Sequence, residues 1–158
     1  MTVNEAMTTQ PATCGPATNL AAATELMWTR DCGSLPVVDE AGQVLGIVTD
    51  RDMLIALGTR NQRASELAVA EVMTAPALTC RPLDTMEAAL TRMNAQQIRR
   101  LPVVDSEGVL VGMLTMNDIV LHAERKGARE HAVPDDRVMA ALKGICGHAQ
   151  TARRAYLA

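Results

Sequence analysis

A chain of 158 residues is about one domain long, able to bury roughly two thirds of its unfolded surface, so neither disulfides nor a structural metal are needed for it to fold. Hydrophobic residues make up 48% and charged residues 21%, the balance of a folded protein rather than a disordered one; with no Phe, one Trp and one Tyr, the core falls to Leu, Val, Ile, Ala and 10 Met. A net charge of -3 speaks against nucleic-acid binding through a broad basic surface, no apolar run reaches the ~20 residues of a membrane span, and the first residues lack the basic and apolar regions of a signal peptide. The expectation is a cytoplasmic protein that binds neither nucleic acid nor membrane.

Taken in order, residues 3–8 read as a short helical turn leading into an extended Ala12-Thr13-Cys14, closed by Pro16. Over residues 19–31 the spacing of Leu20, Ala23 and Met27 predicts a helix. The β-branched run Leu35-Pro36-Val37-Val38-Asp39, the turn formers Glu40-Ala41-Gly42 and the run Val44-Leu45-Gly46-Ile47-Val48 predict a hairpin. Thr49-Asp50-Arg51-Asp52 then opens a short helix carrying Met53, Leu54, Ile55 and Leu57. Its Thr-x-x-Asp spacing suits an N-cap hydroxyl with an acid bonding back from the first turn. Polar residues follow, giving a linker at 59–65.

The same order recurs 66 residues later, Leu101-Pro102-Val103-Val104-Asp105 standing where Leu35 to Asp39 stood and Thr115-Met116-Asn117-Asp118 where Thr49 to Asp52 stood. About nineteen of roughly fifty aligned positions are identical, against about one in twenty expected by chance, so the chain is an internal repeat. In the second copy Met86, Ala89, Leu90 and Met93 keep helical spacing, and Asp84 followed by Glu87 looks like a capping-box opening. We place the first repeat at 1–58, the second at 66–123 and a C-terminal helical tail at 124–158. In that tail Glu124 to His131 is charged, and Pro134-Asp135-Asp136 starts a helix whose Val138, Met139, Leu142, Ile145 and Cys146 share a face. Such a face needs a surface to pack on.

Cysteines stand at 14, 32, 80 and 146 without a Cys-x-x-Cys pair, two of them at equivalent repeat positions, which reads as small buried side chains. His122, His131 and His148 are scattered, and Cys146-Gly147-His148 lacks the further ligands of a metal site. The expected metal set is none. There is no Gly-rich phosphate loop and no nucleophile with a recognisable partner, so no catalytic residue is assigned and an enzyme is not expected.

With the Leu-Pro-Val-Val-Asp strand and the Gly-x-x-Thr-x-x-Asp junction both duplicated, residues 3–123 resemble a tandem pair of cystathionine-β-synthase-type (CBS) domains, a stand-alone Bateman module. The resemblance implies an α/β fold: two extended-helix-strand-strand-helix units packed sheet to sheet about a pseudo-twofold axis, with clefts between them and commonly a homodimer. It also implies a sensor of adenosine-containing ligands (AMP, ADP, ATP, NAD or, less readily, S-adenosylmethionine) that requires no cofactor.

Such a site has a physical rationale. A helix N-terminus offers N–H groups to a phosphate, its Thr hydroxyl can donate to a phosphate oxygen, and the Asp carboxylate can accept from two vicinal ribose hydroxyls. Carried over by position, Thr49 and Thr115 would contact phosphate or ribose, and Asp52 and Asp118 the ribose diol. Arg99 and Arg100 would neutralise phosphate, as would Arg51 within the first junction. Thr13 and Thr79 would lie along the adenine. Because Gly33-Ser34 replaces Arg99-Arg100 in the first copy, two unequal sites are expected, the second better furnished for phosphate. Two bland readings compete: the Thr-Asp pairs as helix caps alone, worth about 1 kcal/mol each, and a structural dimerisation protein whose tail docks an unidentified protein partner.

Overall fold

The computed structural model describes residues 1–124 and 133–155. In chain order the elements are β1 (Thr8–Thr9), α1 (Leu20–Thr29), β2 (Ser34–Val38), β3 (Val44–Thr49), α2 (Asp50–Arg60), α3 (Met86–Gln96), β4 (Arg100–Val104), β5 (Leu110–Thr115), α4 (Met116–Leu121), β6 (Ala123–Glu124), β7 (Val133–Pro134) and α5 (Asp135–Ala155). Short 3-10 turns at Val3–Glu5, Ala64–Glu66 and Val69–Glu71 complete the framework. This is the expected α/β order, repeated, with a C-terminal helix.

Compact units and sequence repeats do not coincide. One unit joins Met1–Thr8 to Thr79–Val103 and the described residues from Gly112 on; the other joins Thr9–Leu78 to Val104–Val111. Backbone bonds explain the first grouping: the Val3 N–H donates to Asp84 O at 3.0 Å, Asn4 to Pro82 O at 3.0 Å and Met86 to Met1 O at 3.1 Å. At the same offset in the other unit, Val69 donates to Thr18 O at 2.8 Å, Ala70 to Pro16 O at 3.0 Å and Leu20 to Leu67 O at 2.9 Å. Each lead-in turn therefore caps the start of the other repeat's first helix, satisfying groups that a helix cannot satisfy alone.

Within the unit built around Thr9–Leu78, α1 and α2 bury Leu20, Ala23, Met27, Met53 and Ala56 against Leu35, Val37 and Val48 of the β2-β3 hairpin. Asn19 caps α1 by accepting from the Ala22 N–H at 2.9 Å. The hairpin turn is organised by Asp39, whose Oδ1 accepts from the Ala41 and Gln43 N–H groups, both at 2.9 Å. Gly42, at φ +81°, supplies the left-handed residue that this turn needs. Asp105 does the same, accepting from the Glu107 and Val109 N–H groups. The last residue of the Leu-Pro-Val-Val-Asp run is thus a turn former. Of the residues expected as a linker, 59–65, Thr59 and Arg60 close α2 and a 3-10 turn begins at Ala64, with no regular element at 61–63.

In the other unit Leu101, Val103, Met113 and Leu114 of β4 and β5 and Met86, Ala89, Leu90 and Met93 of α3 are all buried, a core of aliphatic and thioether side chains. The cap of α3 is Thr85, accepting from the Ala88 N–H at 3.2 Å, rather than Asp84. Asp84 is occupied with the preceding turn, accepting from the Arg81 N–H at 3.0 Å. The parallel β6-β7 pair sets the start of α5, which packs on α3 and buries Val138, Ala141 and Ile145. Met139 and Cys146, expected on the same face, are exposed. Much of the segment from Glu124 to His131 lies outside the described residues, as does the environment of His148.

Candidate functional site

Each Thr-x-x-Asp junction is a strand end turning into a helix. At the first, β3 ends on Thr49, an extended N-cap, and α2 begins at Asp50. Asp52 Oδ2 accepts from the Thr49 N–H at 3.0 Å and from Thr49 Oγ1 at 2.7 Å, while the Asp52 N–H donates back to Thr49 Oγ1 at 3.2 Å. At the second, Asp118 Oδ2 accepts from the Thr115 N–H at 2.7 Å and from Oγ1 at 2.6 Å, and the Asp118 N–H donates to Thr115 Oγ1 at 3.3 Å. Both are complete capping boxes.

These bonds decide what the junction can offer a ligand. The Thr hydroxyl proton is directed to Asp Oδ2, which leaves the hydroxyl an acceptor lone pair on its open side. Only Oδ2 is used by the cap, whereas Oδ1 of Asp52 and of Asp118 takes no part in it and can accept from hydroxyl donors. A carboxylate oxygen beside an acceptor-only hydroxyl suits a vicinal diol better than an anion.

The two junctions differ in their surroundings. At the first, the Asp50 N–H donates to Gly33 O at 3.2 Å, and the Arg51 N–H donates to Asp50 Oδ1 at 2.7 Å, the Arg51 side chain lying exposed. At the second, Met116 replaces Asp50 and is buried, so no carboxylate covers the next N–H; the Met116 N–H donates to Arg99 O at 2.8 Å. Arg99 is exposed and Arg100, the first residue of β4, half-buried. Thr13 and Thr79 are half-buried on extended segments beside β2 and β4, where Cys14 bridges Val37 and Cys80 bridges Val103. The Thr79 carbonyl accepts from Arg92 Nη1 at 2.5 Å.

One side chain was missed. Ser34 is 8% exposed and pairs across the hairpin with Thr49. The Asp50 N–H to Gly33 O bond makes this a non-hydrogen-bonded pair, the kind in which two side chains on one sheet face come closest. Counting back from the turn does not find it. A bulge between Val37 and Val38 shifts the register, and an unbulged count would set Ser34 opposite Val48, facing away.

The cysteines beside these segments are inert. Burial pushes the Cys14 thiol up to about 11, and burial together with the nearby Asp84 charge pushes Cys80 up to about 12 against the opposing effect of Arg92. Both stay protonated at neutral pH. A thiol reagent at pH 7.5 is therefore expected to modify exposed Cys146 and to leave Cys14 and Cys80 unmodified until denaturant is added, as read by peptide mass mapping.

Among the described residues no group of three or more His, Cys, Asp or Glu side chains could share a metal ion, and no helix is long and apolar enough to cross a membrane. The family model for the CBS domain matches residues 3–59 and 69–125. A CBS domain-containing protein of Bacillus subtilis, YhcV, is 39% identical over 121 residues, covering 76% of this chain and 84% of that protein. Inosine-5'-monophosphate dehydrogenase of Mycobacterium bovis is 40% identical over 115 residues, 72% of this chain but only 21% of the enzyme, so the chain spans about a fifth of that relative's length. Among solved structures, the CBS domain pair of protein MJ0100 in complex with 5'-methylthioadenosine and S-adenosyl-L-methionine superposes with TM-score 0.71 at 26% identity, covering 77% of this chain and 94% of that one. The protein CBSX2 of Arabidopsis thaliana in complex with AMP gives TM-score 0.67 at 31% identity, covering 76% and 93%.

Proposed function

Because the chain belongs to the CBS-domain family, we propose that it is a regulatory module that binds adenosine-containing ligands at its Thr-x-x-Asp junctions and signals by a change of conformation or oligomeric state. AMP, ADP, ATP and NAD lead the candidates, with S-adenosylmethionine behind them. The observation that carries this reading is the duplicated cap, which spends Oδ2 of Asp52 and Asp118 on the helix and leaves Oδ1 for a ribose. It is supported by similar structures that hold AMP, or 5'-methylthioadenosine with S-adenosyl-L-methionine. Nothing in the reading requires a catalytic residue or a resident cofactor. A ligand can shift the module only as far as its affinities for the two arrangements differ.

Exposed apolar side chains favour self-association as the accompanying state. Leu54 on α2 is 71% exposed and, in the other unit, Leu121 on α4 is 82% exposed, each a side chain that a homodimer could cover. The competing reading, a dimerisation protein that binds no ligand, rests on the same residues. It takes the caps as caps alone.

A thermal-shift panel of these ligands on wild type, Asp52→Ala and Asp118→Ala, with sedimentation of each, separates the two readings. A ligand at about a hundred times its dissociation constant adds ~2.7 kcal/mol and raises the melting temperature by several degrees. Each Asp→Ala change removes a cap and costs about 1 kcal/mol whatever the function. Ligand stabilisation that disappears in one or both variants supports the sensor. Loss of the cap energy with no ligand response, in wild type freed of carried-over nucleotide, leaves the dimerisation reading in place.

A further inference from the structure

We propose that the first junction takes an adenosine derivative without phosphate (a free nucleoside, a 5'-thioether or a sulfonium), an assignment that rests on the adenosine-binding reading above and narrows its ligand class. At the start of α2 the N–H groups that would hold a phosphate are already taken. Asp50 donates to Gly33 O, Arg51 to Asp50 Oδ1 and Asp52 to Thr49 Oγ1. The first turn also carries two carboxylates, Asp50 and Asp52, against the single exposed cation of Arg51. A phosphate brought here meets two carboxylates and finds the backbone donors of the first turn taken, with the exposed Arg51 guanidinium alone to set against them, whereas a neutral or cationic 5'-group meets neither obstacle.

Ser34 points to a ligand independently of the helix terminus. Its side chain takes no part in a hydrogen bond among the described residues although it is 8% exposed, and no buried side-chain oxygen lacks a partner there, so its hydroxyl still reaches an opening. Pairing with Thr49 in the close register puts that hydroxyl on the face of the sheet that carries the Thr49-Asp52 box. Ser34 supplies one neutral donor and acceptor, Thr49 Oγ1 an acceptor and Asp52 Oδ1 an anionic acceptor. That set matches the hydroxyls of a ribose and holds no group reserved for an anion. A ribose hydroxyl would give Ser34 the direct partner that its side chain lacks among the described residues.

The test is isothermal titration of the intact chain with adenosine, 5'-methylthioadenosine, S-adenosylmethionine, AMP and ATP, on wild type, Ser34→Ala and Asp50→Asn. Losing one buried hydrogen bond makes Ser34→Ala about tenfold weaker toward the three phosphate-free ligands, while AMP and ATP stay within about twofold. Which of the three binds most tightly identifies the 5'-group. Asp50→Asn, a change at an exposed side chain, is expected to strengthen AMP severalfold at low ionic strength. If Ser34→Ala weakens AMP as much as adenosine, or changes none of the five, the assignment is overturned. Wild type that binds only AMP and ATP also removes it but leaves the adenosine-binding reading intact, whereas wild type that binds none of the five ends both.

Discussion

Ile145→Asp is expected to release α5 from α3 and to lower the unfolding free energy by about 4 kcal/mol, with the helix becoming the first site of proteolysis. Ile145 is 5% exposed and lies with Val138 and Ala141 on the stripe that α5 buries. Burying a large aliphatic side chain contributes roughly 1.5–3 kcal/mol, so Ile145 and Val138 together hold the helix with about this energy. An aspartate cannot keep its charge there without a partner, and undocking costs less than burying it. The Arg137–Glu87 ion pair at 3.2 Å does not compensate, because both side chains are about two thirds exposed and such pairs give at most about 1 kcal/mol. Met139→Asp is the control: Met139 lies on the same helix but is exposed, so the unfolding free energy from urea titration should move by less than about 0.5 kcal/mol. Equal effects at 139 and 145 would mean that the helix is held by its own propensity and not by α3.

The same helix shows where sequence reading stops. Its existence and its start at Pro134-Asp135 follow from the residues themselves, and so does its need for a surface. Which stripe it buries depends on how closely it approaches α3. At Gly144 a Cβ would fall on the Asn94 side-chain amide, so the glycine lets α5 lie close to α3, and the buried stripe holds Val138, Ala141 and Ile145 while Met139 and Cys146 stay out. Small residues at a contact carry no hydrophobic signal. Periodicity therefore identified the large side chains on the helix and could not rank them.

The junctions were legible for a different reason. Thr-x-x-Asp is a local motif, so both boxes form where the spacing put them, and the repeat made each a check on the other. Their chemistry was less legible. The direction of the Thr hydroxyl proton and the use of one carboxylate oxygen are outcomes of geometry, and together they favour a diol where the sequence had allowed phosphate. Asp39 and Asp105 were read as strand ends and turned out to organise the turns, because an Asx turn is visible only once the backbone curls back on the side chain. Ser34 was lost to a bulge. The pairing of each lead-in turn with the other repeat's helix is a long-range exchange for which no local pattern exists.

Gly46→Ala is expected to cost about 2–3 kcal/mol, and Gly112→Ala, its equivalent 66 positions on, only about 1 kcal/mol. A Cβ at 46 would stand 2.7 Å from Thr74 O and 2.9 Å from Met73 Sδ. That carbonyl cannot retreat, since it accepts from the Ile47 N–H at 3.0 Å while the Thr74 N–H donates to Ile47 O at 2.9 Å. At 112 the nearest atom is Met7 Sδ, 2.5 Å away, and the Thr8 carbonyl is further off at 3.1 Å. A thioether can swing aside at the cost of a rotamer, whereas a paired strand must slide. Double-mutant cycles make the distinction measurable. Coupling between Gly112→Ala and Met7→Ala should reach about 1 kcal/mol, because removing the thioether removes the clash, while Gly46→Ala with Met73→Ala should couple weakly, because the carbonyl remains. Equal coupling in both cycles would mean that side chains set both close approaches. The lead-in strand beside Thr49 would then be as free to move as its twin, and the first junction would lose the rigidity that a buried, close-paired Ser34 demands.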